Sequence, residues 1–220
     1  MRKLYLFNWI LLALIPVMLI AIATTPELAD FIIDDDLEGA ARLMERSPSV
    51  VNGLDASGEY PLHKAIDYGS IDMVRQLLEH QARIDNPDKL QRTPLHHAAR
   101  IGDASKVALL IEWGADANAQ DRYKETPLYT AAGQGYLRVV EILLEAGADP
   151  NLSTFDTGTP LLIAIRKGWI DIIDLLLAHK ADPSIKTRFG TTILEAAQRT
   201  KNKDIIERIE KALSQQKSAG

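Results

Sequence analysis

Hydrophobic residues in this chain come in short bursts that recur over a long period. Val107, Leu110 and Ile111 fall on one face at helical spacing, and the residues standing one period from Val107, or two, are Val74, Val140 and Ile173. The breaks between bursts keep the same period. Pro61, Pro94, Pro127 and Pro160 are each 33 residues apart, and Gly69, Gly102, Gly135 and Gly168 follow the same spacing. So do Gln81-Ala82-Arg83, Gly114-Ala115-Asp116, Gly147-Ala148-Asp149 and Lys180-Ala181-Asp182.

The unit 88–120 shows what this punctuation does. Thr93 can accept a hydrogen bond from the free N–H groups of a first turn, and Pro94 occupies the first helical position, where a missing N–H is harmless. A helix is expected to start there. Gly102 can turn the chain through a left-handed conformation after about two helical turns. Asp103 starts a second helix and Gly114 ends it, and residues 115–124 are rich in turn formers and carry no helical period. One such pair of helices has too little apolar surface to stand alone, so neighbouring units must cover it.

The four proline positions sit in Tyr60-Pro61-Leu62-His63, Thr93-Pro94-Leu95-His96, Thr126-Pro127-Leu128-Tyr129 and Thr159-Pro160-Leu161-Leu162. This pattern resembles the ankyrin-repeat family, with its 33-residue unit and Thr-Pro-Leu-His hallmark. The resemblance implies an all-α solenoid of stacked helix-turn-helix units with projecting β-turn or hairpin loops. It also implies that His63 and His96 bond backbone groups and brace the loops. The expected units are 55–87, 88–120, 121–153 and 154–186. They are preceded by a degenerate first repeat at 24–54, with helices near Leu28–Ile33 and Leu37–Met44, and closed by a C-terminal cap at 187–213. Residues 214–220 are expected to form a disordered tail.

Residues 1–23 read differently. Arg2 and Lys3 precede a stretch from Leu4 to Ala23 whose only polar side chain is Asn8, so an apolar leader helix is expected before the fold. It fits an export signal cut after Ala23, and it is also long enough to remain as a membrane anchor of roughly 30 Å. Both readings put the repeats outside the cytoplasm, periplasmic or held on the periplasmic face of an inner membrane, because the basic flank stays inside.

Composition narrows the chemistry. The chain has no Cys, which removes disulfides, thiolate metal sites and cysteine nucleophiles. The leader holds two of the 25 basic residues and none of the 30 acidic ones, leaving 23 against 30 and a net charge of −7. Such a surface argues against a nucleic-acid partner. No histidine pair with a glutamate base, phosphate-cradling loop or nucleophile elbow occurs. Gly133-Gln134-Gly135 is half of a dinucleotide fingerprint without its strand, and reads as a helix end. Asp72, Glu79, Glu112, Glu141, Glu145, Asp171 and Asp174 are expected on the solvated faces of second helices. No cofactor, metal or catalytic residue is assigned.

Function is then expected in what the stack presents. In proteins similar to this one the concave face is built from loop tips and the exposed sides of first helices. The tip column is Ser57, Leu90, Tyr123, Asp156 and Phe189, preceded by Ala56, Lys89, Arg122, Phe155 and Arg188. On the first helices the exposed positions are Tyr68, Arg100, Ile101, Gln134, Arg166, Lys167 and Arg199, and Arg92 and Glu125 flank the tips. This face is basic and aromatic on an acidic protein, and arginines and aromatic rings are frequent interface anchors. The expected function is a non-enzymatic scaffold, monomeric alone, that binds an acidic or mixed surface of another protein and inhibits or protects it. A toxin-immunity role or support of an exported enzyme would be versions of this. The alternatives are a structural organiser tethered through residues 4–23 and an enzyme with an unrecognised site.

Overall fold

The structure, a computed structural model, describes residues 27–55, 58–155 and 158–219. Among these, twelve α-helices form six pairs. The pairs are α1 Leu28–Ile33 with α2 Leu37–Arg46, α3 Pro61–Asp67 with α4 Ile71–Glu79, and α5 Pro94–Ile101 with α6 Ala104–Glu112. Then come α7 Pro127–Gln134 with α8 Leu137–Glu145, α9 Pro160–Lys167 with α10 Ile170–Ala178, and α11 Ile193–Thr200 with α12 Lys203–Ala219. A single 3-10 turn, Pro48–Asn52, follows α2.

The helix starts follow the capping chemistry of the sequence. Thr126 and Thr159 accept hydrogen bonds from the N–H groups of Tyr129 and Leu162, at 3.1 and 3.2 Å. Thr192, which lacks the following proline, accepts from Glu195 while the Glu195 carboxylate accepts from the Thr192 N–H. Ser70 and Asp103 cap second helices in the same way. Tyr136 and Trp169 hold the equivalent position in the next two units without a side-chain cap. Their rings instead lie on Gly102 and Gly135, where an added Cβ would meet the ring at 2.8 and 2.7 Å. Those glycines are also left-handed, with φ of 84° and 85°, so both turn and contact exclude a side chain.

One apolar cluster runs the length of the stack, from Leu28 through Val74, Val107, Val140 and Ile173 to Ile209. First helices pack against successive first helices more closely than second helices pack against each other, so the stack bends with α3, α5, α7, α9 and α11 on its inner curve.

The loops are tighter and less sheet-like than hairpins. In each of three fully described tips the first residue closes a turn onto the fourth and fifth: Gln91 and Arg92 bond back to Asp88, Lys124 and Glu125 to Asp121, Gly190 and Thr191 to Thr187. Asp88 and Asp121 also turn a carboxylate oxygen inward onto N–H groups two and four residues on. With their polar groups satisfied inside the turn, no ladder is needed, and among the described residues the only β-bridge joins Lys186 and Thr192. Along the loop bases a second column ties repeats together. Asn52, Asn118 and Asn151 each donate to a carbonyl 29 residues on and accept from an N–H 31 residues on.

Two expectations need correction or placement. α12 continues through 214–219 rather than fraying after Leu213, because no glycine or proline interrupts that run and Gln216 bonds Asp182 at 2.9 Å. The leader 1–23 lies outside the described residues. Among the described residues no helix is long and apolar enough to cross a membrane.

Candidate partner-binding surface

The floor of the inner curve is made by the last turns of the first helices. α5, α7 and α9 bury their Pro-Leu starts and their alanines, and the exposed residues of each lie at its C-terminal end. Tyr68, Arg100, Ile101, Gln134, Arg166, Lys167 and Arg199 are all exposed there, as expected. Arg100 is the one held in place, its Nη2 lying 3.0 Å from Asp67 Oδ1.

The tips form a second strip that is continuous from one repeat to the next. The Arg122 N–H donates to the Leu90 carbonyl at 2.9 Å, and the Phe155 N–H to the Tyr123 carbonyl at 3.1 Å. Arg122 Nη2 reaches the Lys89 carbonyl at 2.7 Å. Tyr123, Phe155 and Phe189 stand out at 54%, 56% and 79% exposure. Lys124 lies over the Phe155 ring and Arg188 over that of Phe189, each at 5.3 Å.

Three expected contact residues are placed otherwise. Arg92 is half-buried, its Nε and Nη2 both donating to Asp88 Oδ2 at 2.9 and 2.7 Å, so its charge is used within the turn. Leu90 is half-buried because its carbonyl side is covered by the next tip. Glu125 is half-buried too, and burial together with the neighbouring Asp121 charge pushes its carboxyl up. Lys89, Arg122 and Arg188 are exposed. Asp156, Ala56 and Ser57 lie outside the described residues.

Behind the floor, between repeats 55–87 and 88–120, lies a polar cluster. His97 is buried with Nδ1 3.1 Å from Asp67 Oδ2 and Nε2 3.1 Å from Asp88 Oδ2, so the ring bridges the two carboxylates. The His63 ring meets it edge-on at 4.9 Å. Burial pushes Asp67 and Asp88 up, but His97 with Arg100 at Asp67, and Arg92 with His97 at Asp88, outweigh it. Both carboxyls lie below their ordinary range, Asp88 far below.

The hallmark histidines brace the loops. His96 Nδ1 accepts from the Thr93 N–H at 3.1 Å, which places the ring hydrogen on Nε2, and Nε2 donates to the Glu125 carbonyl at 3.0 Å. His63 Nε2 makes the corresponding bond to Arg92. Burial, the largest influence on each, lowers the pKa of both rings. Lys106 carries a role that sequence reading missed. It is 8% exposed, and its ammonium donates to the carbonyls of Ile66 and Gly69 at 2.7 and 2.8 Å, with Ala65 at 3.4 Å. The signal was a lysine in a column otherwise occupied by Met73, Val139 and Ile172.

Among the described residues no group of acidic or histidine side chains could hold a metal ion. The surface offers cations, rings and one curved floor. The family model described as ankyrin repeats (3 copies) matches residues 17–121 and 85–154, and that for a single ankyrin repeat matches 158–188. The chain belongs to the ankyrin-repeat family, whose members serve generally as non-enzymatic modules for binding other proteins. No curated protein matches the chain.

Proposed function

We propose that this protein is a non-enzymatic scaffold whose inner curve grips an acidic or mixed surface of one partner protein outside the cytoplasm. The observation that supports this best is the floor: on a chain of net charge −5, every charged side chain exposed at the ends of α5, α9 and α11 is a cation, set beside Tyr68 and Ile101. A basic floor on an acidic protein speeds and orients encounter with an acidic partner. The apolar leader with its basic flank supports the extracytoplasmic placement.

The test is cross-linking of the full chain in its native host, with the captured protein identified and then purified. Arg166→Glu combined with Lys167→Glu is expected to weaken binding of that protein at least about tenfold while helical content stays the same. Undiminished binding by the double variant sinks this use of the floor.

A further inference from the structure

Second helices begin in two different ways. Ser70, Asp103 and Asn202 each accept a hydrogen bond from the first turn of the helix that follows them. In the two units between, the same position holds Tyr136 and Trp169, which cap nothing. Giving up a cap destabilises a helix. Each ring covers a glycine turn of the preceding unit, yet both rings, with Ile101 and Leu137, stay at least a third exposed.

These four side chains form one ridge along the edge where first helices turn into second ones. Ile101 precedes Gly102, on which the Tyr136 ring lies, and Leu137 follows Tyr136. The Trp169 ring lies on Gly135, its Nε1 donating to the Gly133 carbonyl at 3.5 Å. Beside Leu137 and Trp169 opens a groove of about 270 Å³ that Ile170 and Asp171 also line. Single exposed apolar residues need no explanation, but a run of them across three successive repeats marks a contact surface.

Charge gives the edge a direction. At its C-terminal end the turns 166–171 and 199–204 expose five cations, Arg166, Lys167, Arg199, Lys201 and Lys203, against two carboxylates, Asp171 and Asp204. At the other end the turn 67–72 carries Asp67 and Asp72 and no cation.

We infer that this edge seats one amphipathic segment of the partner protein, with its apolar side chains on the ridge and in the groove beside Trp169 and its carboxylates toward Lys167, Lys201 and Lys203. Successive repeats stand one helix spacing apart, so from Ile101 to Lys203 the segment runs roughly 25–30 Å, the length of a helix of about five turns. The inference rests on the reading that the inner curve grips an acidic protein, and adds the segment by which that protein is held.

The test uses full-length chains carrying the photocrosslinker benzoylphenylalanine in place of Tyr136, of Gln134 on the floor, or of Glu112 on a second helix. They are irradiated in the native host and the adducts are mapped by mass spectrometry. Position 136 is expected to mark the same protein as position 134, in a segment where apolar residues stand beside Asp or Glu, and position 112 to leave that protein unmarked. With the protein purified, Tyr136→Ser combined with Trp169→Ser should weaken binding at least about thirtyfold while the thermal midpoint holds or rises, because serine restores the cap. Leu137→Glu tests the ridge without touching the rings, since a carboxylate in a first turn favours the helix. It should weaken binding about tenfold by repelling the segment's carboxylates.

Adducts at 136 with lipid, with a second copy of this chain, or with a segment free of Asp and Glu overturn the ridge. So does binding that Leu137→Glu leaves undiminished. Binding that falls with Arg166→Glu and Lys167→Glu but not with Leu137→Glu keeps the floor and ends the ridge. The reverse keeps the ridge and ends the floor, and a chain that captures no protein from either 134 or 136 ends both.

Discussion

The seam between repeats 55–87 and 88–120 and the seam between 121–153 and 154–186 share one backbone and are filled by opposite chemistry. Where the first has His97, Lys106 and Asp67, the second has Ile163, Ile172 and Gly133. The first is held by directed bonds: His97 between two carboxylates, and a buried ammonium on three carbonyls. The second is held by packing, with Leu161, Leu162, Ile165 and Ile172 all buried. Helix ends show the same contrast. α5, α7 and α9 finish on left-handed glycines, each donating its N–H back to an alanine carbonyl. α3 finishes on Tyr68, Gly69 has no positive φ, and Lys106 reaches across from the next repeat to take up the carbonyls instead. A stacked repeat can therefore fill a seam with hydrogen-bonded polar groups as well as with apolar ones, even though His63 Nδ1 in the polar seam is buried without a partner.

The comparison can be broken from either side. Truncating the apolar seam with Leu162→Ala is expected to lower the unfolding free energy by about 3 kcal/mol. In urea unfolding followed by circular dichroism, the size of that loss should not change between neutral and mildly acidic buffer. A pH-dependent loss would show that this seam is not purely a matter of packing. In the polar seam, Lys106→Met introduces the side chain that repeat 55–87 already carries at Met73. It removes the ammonium donor from the Ile66 and Gly69 carbonyls, while the Ala65 carbonyl keeps the Gly69 N–H, and should cost about 2 kcal/mol by the same measurement. A neutral result would mean the ammonium adds nothing beyond its stem.

Acid should act on the polar half. His63 and His96 have folded pKa values below the ordinary 6.5, so below that pH the unfolded chain binds more protons and stability falls as pH drops. Asp67 and Asp88 have the same sign, but theirs is retained until pH falls below about 3.9. Unfolding midpoints from pH 7.5 downward are expected to decline first near the histidine range, and His63→Gln should soften that decline. The smallest effect is a gain. Asp85 stands in the Asn52, Asn118, Asn151 column but has no hydrogen to donate, and burial with the nearby Asp116 charge pushes its carboxyl up. Asp85→Asn should complete the column and raise stability by about 0.5–1 kcal/mol at neutral pH, as read from the urea midpoint. A loss would show that the carboxylate has a use there.

Much of this was legible in the residues. The 33-residue period, the Thr-Pro starts and the Gly stops placed the paired helices of the four central repeats, because capping and left-handed turns depend on residues close in sequence. The exposed floor from Tyr68 to Arg199 was legible as well, since a helix that buries one stripe must expose the other. Arg92, Leu90 and Glu125, expected as partner contacts, are half-buried because their local partners are set by how a turn closes and by what the next repeat lays over it. Lys106 was overlooked for a related reason: its three carbonyls lie 37 to 41 residues away.

What the sequence determined by itself is the repeat: its length, its two helices, where each begins and ends, and which stripe must be covered. What only the tertiary structure decided is the use of each polar group at the seams, whether it is spent on a neighbouring repeat or left for a partner. Helix propensity and capping act within a turn or two of chain, whereas a hydrogen bond across a seam exists only once two units have stacked in register.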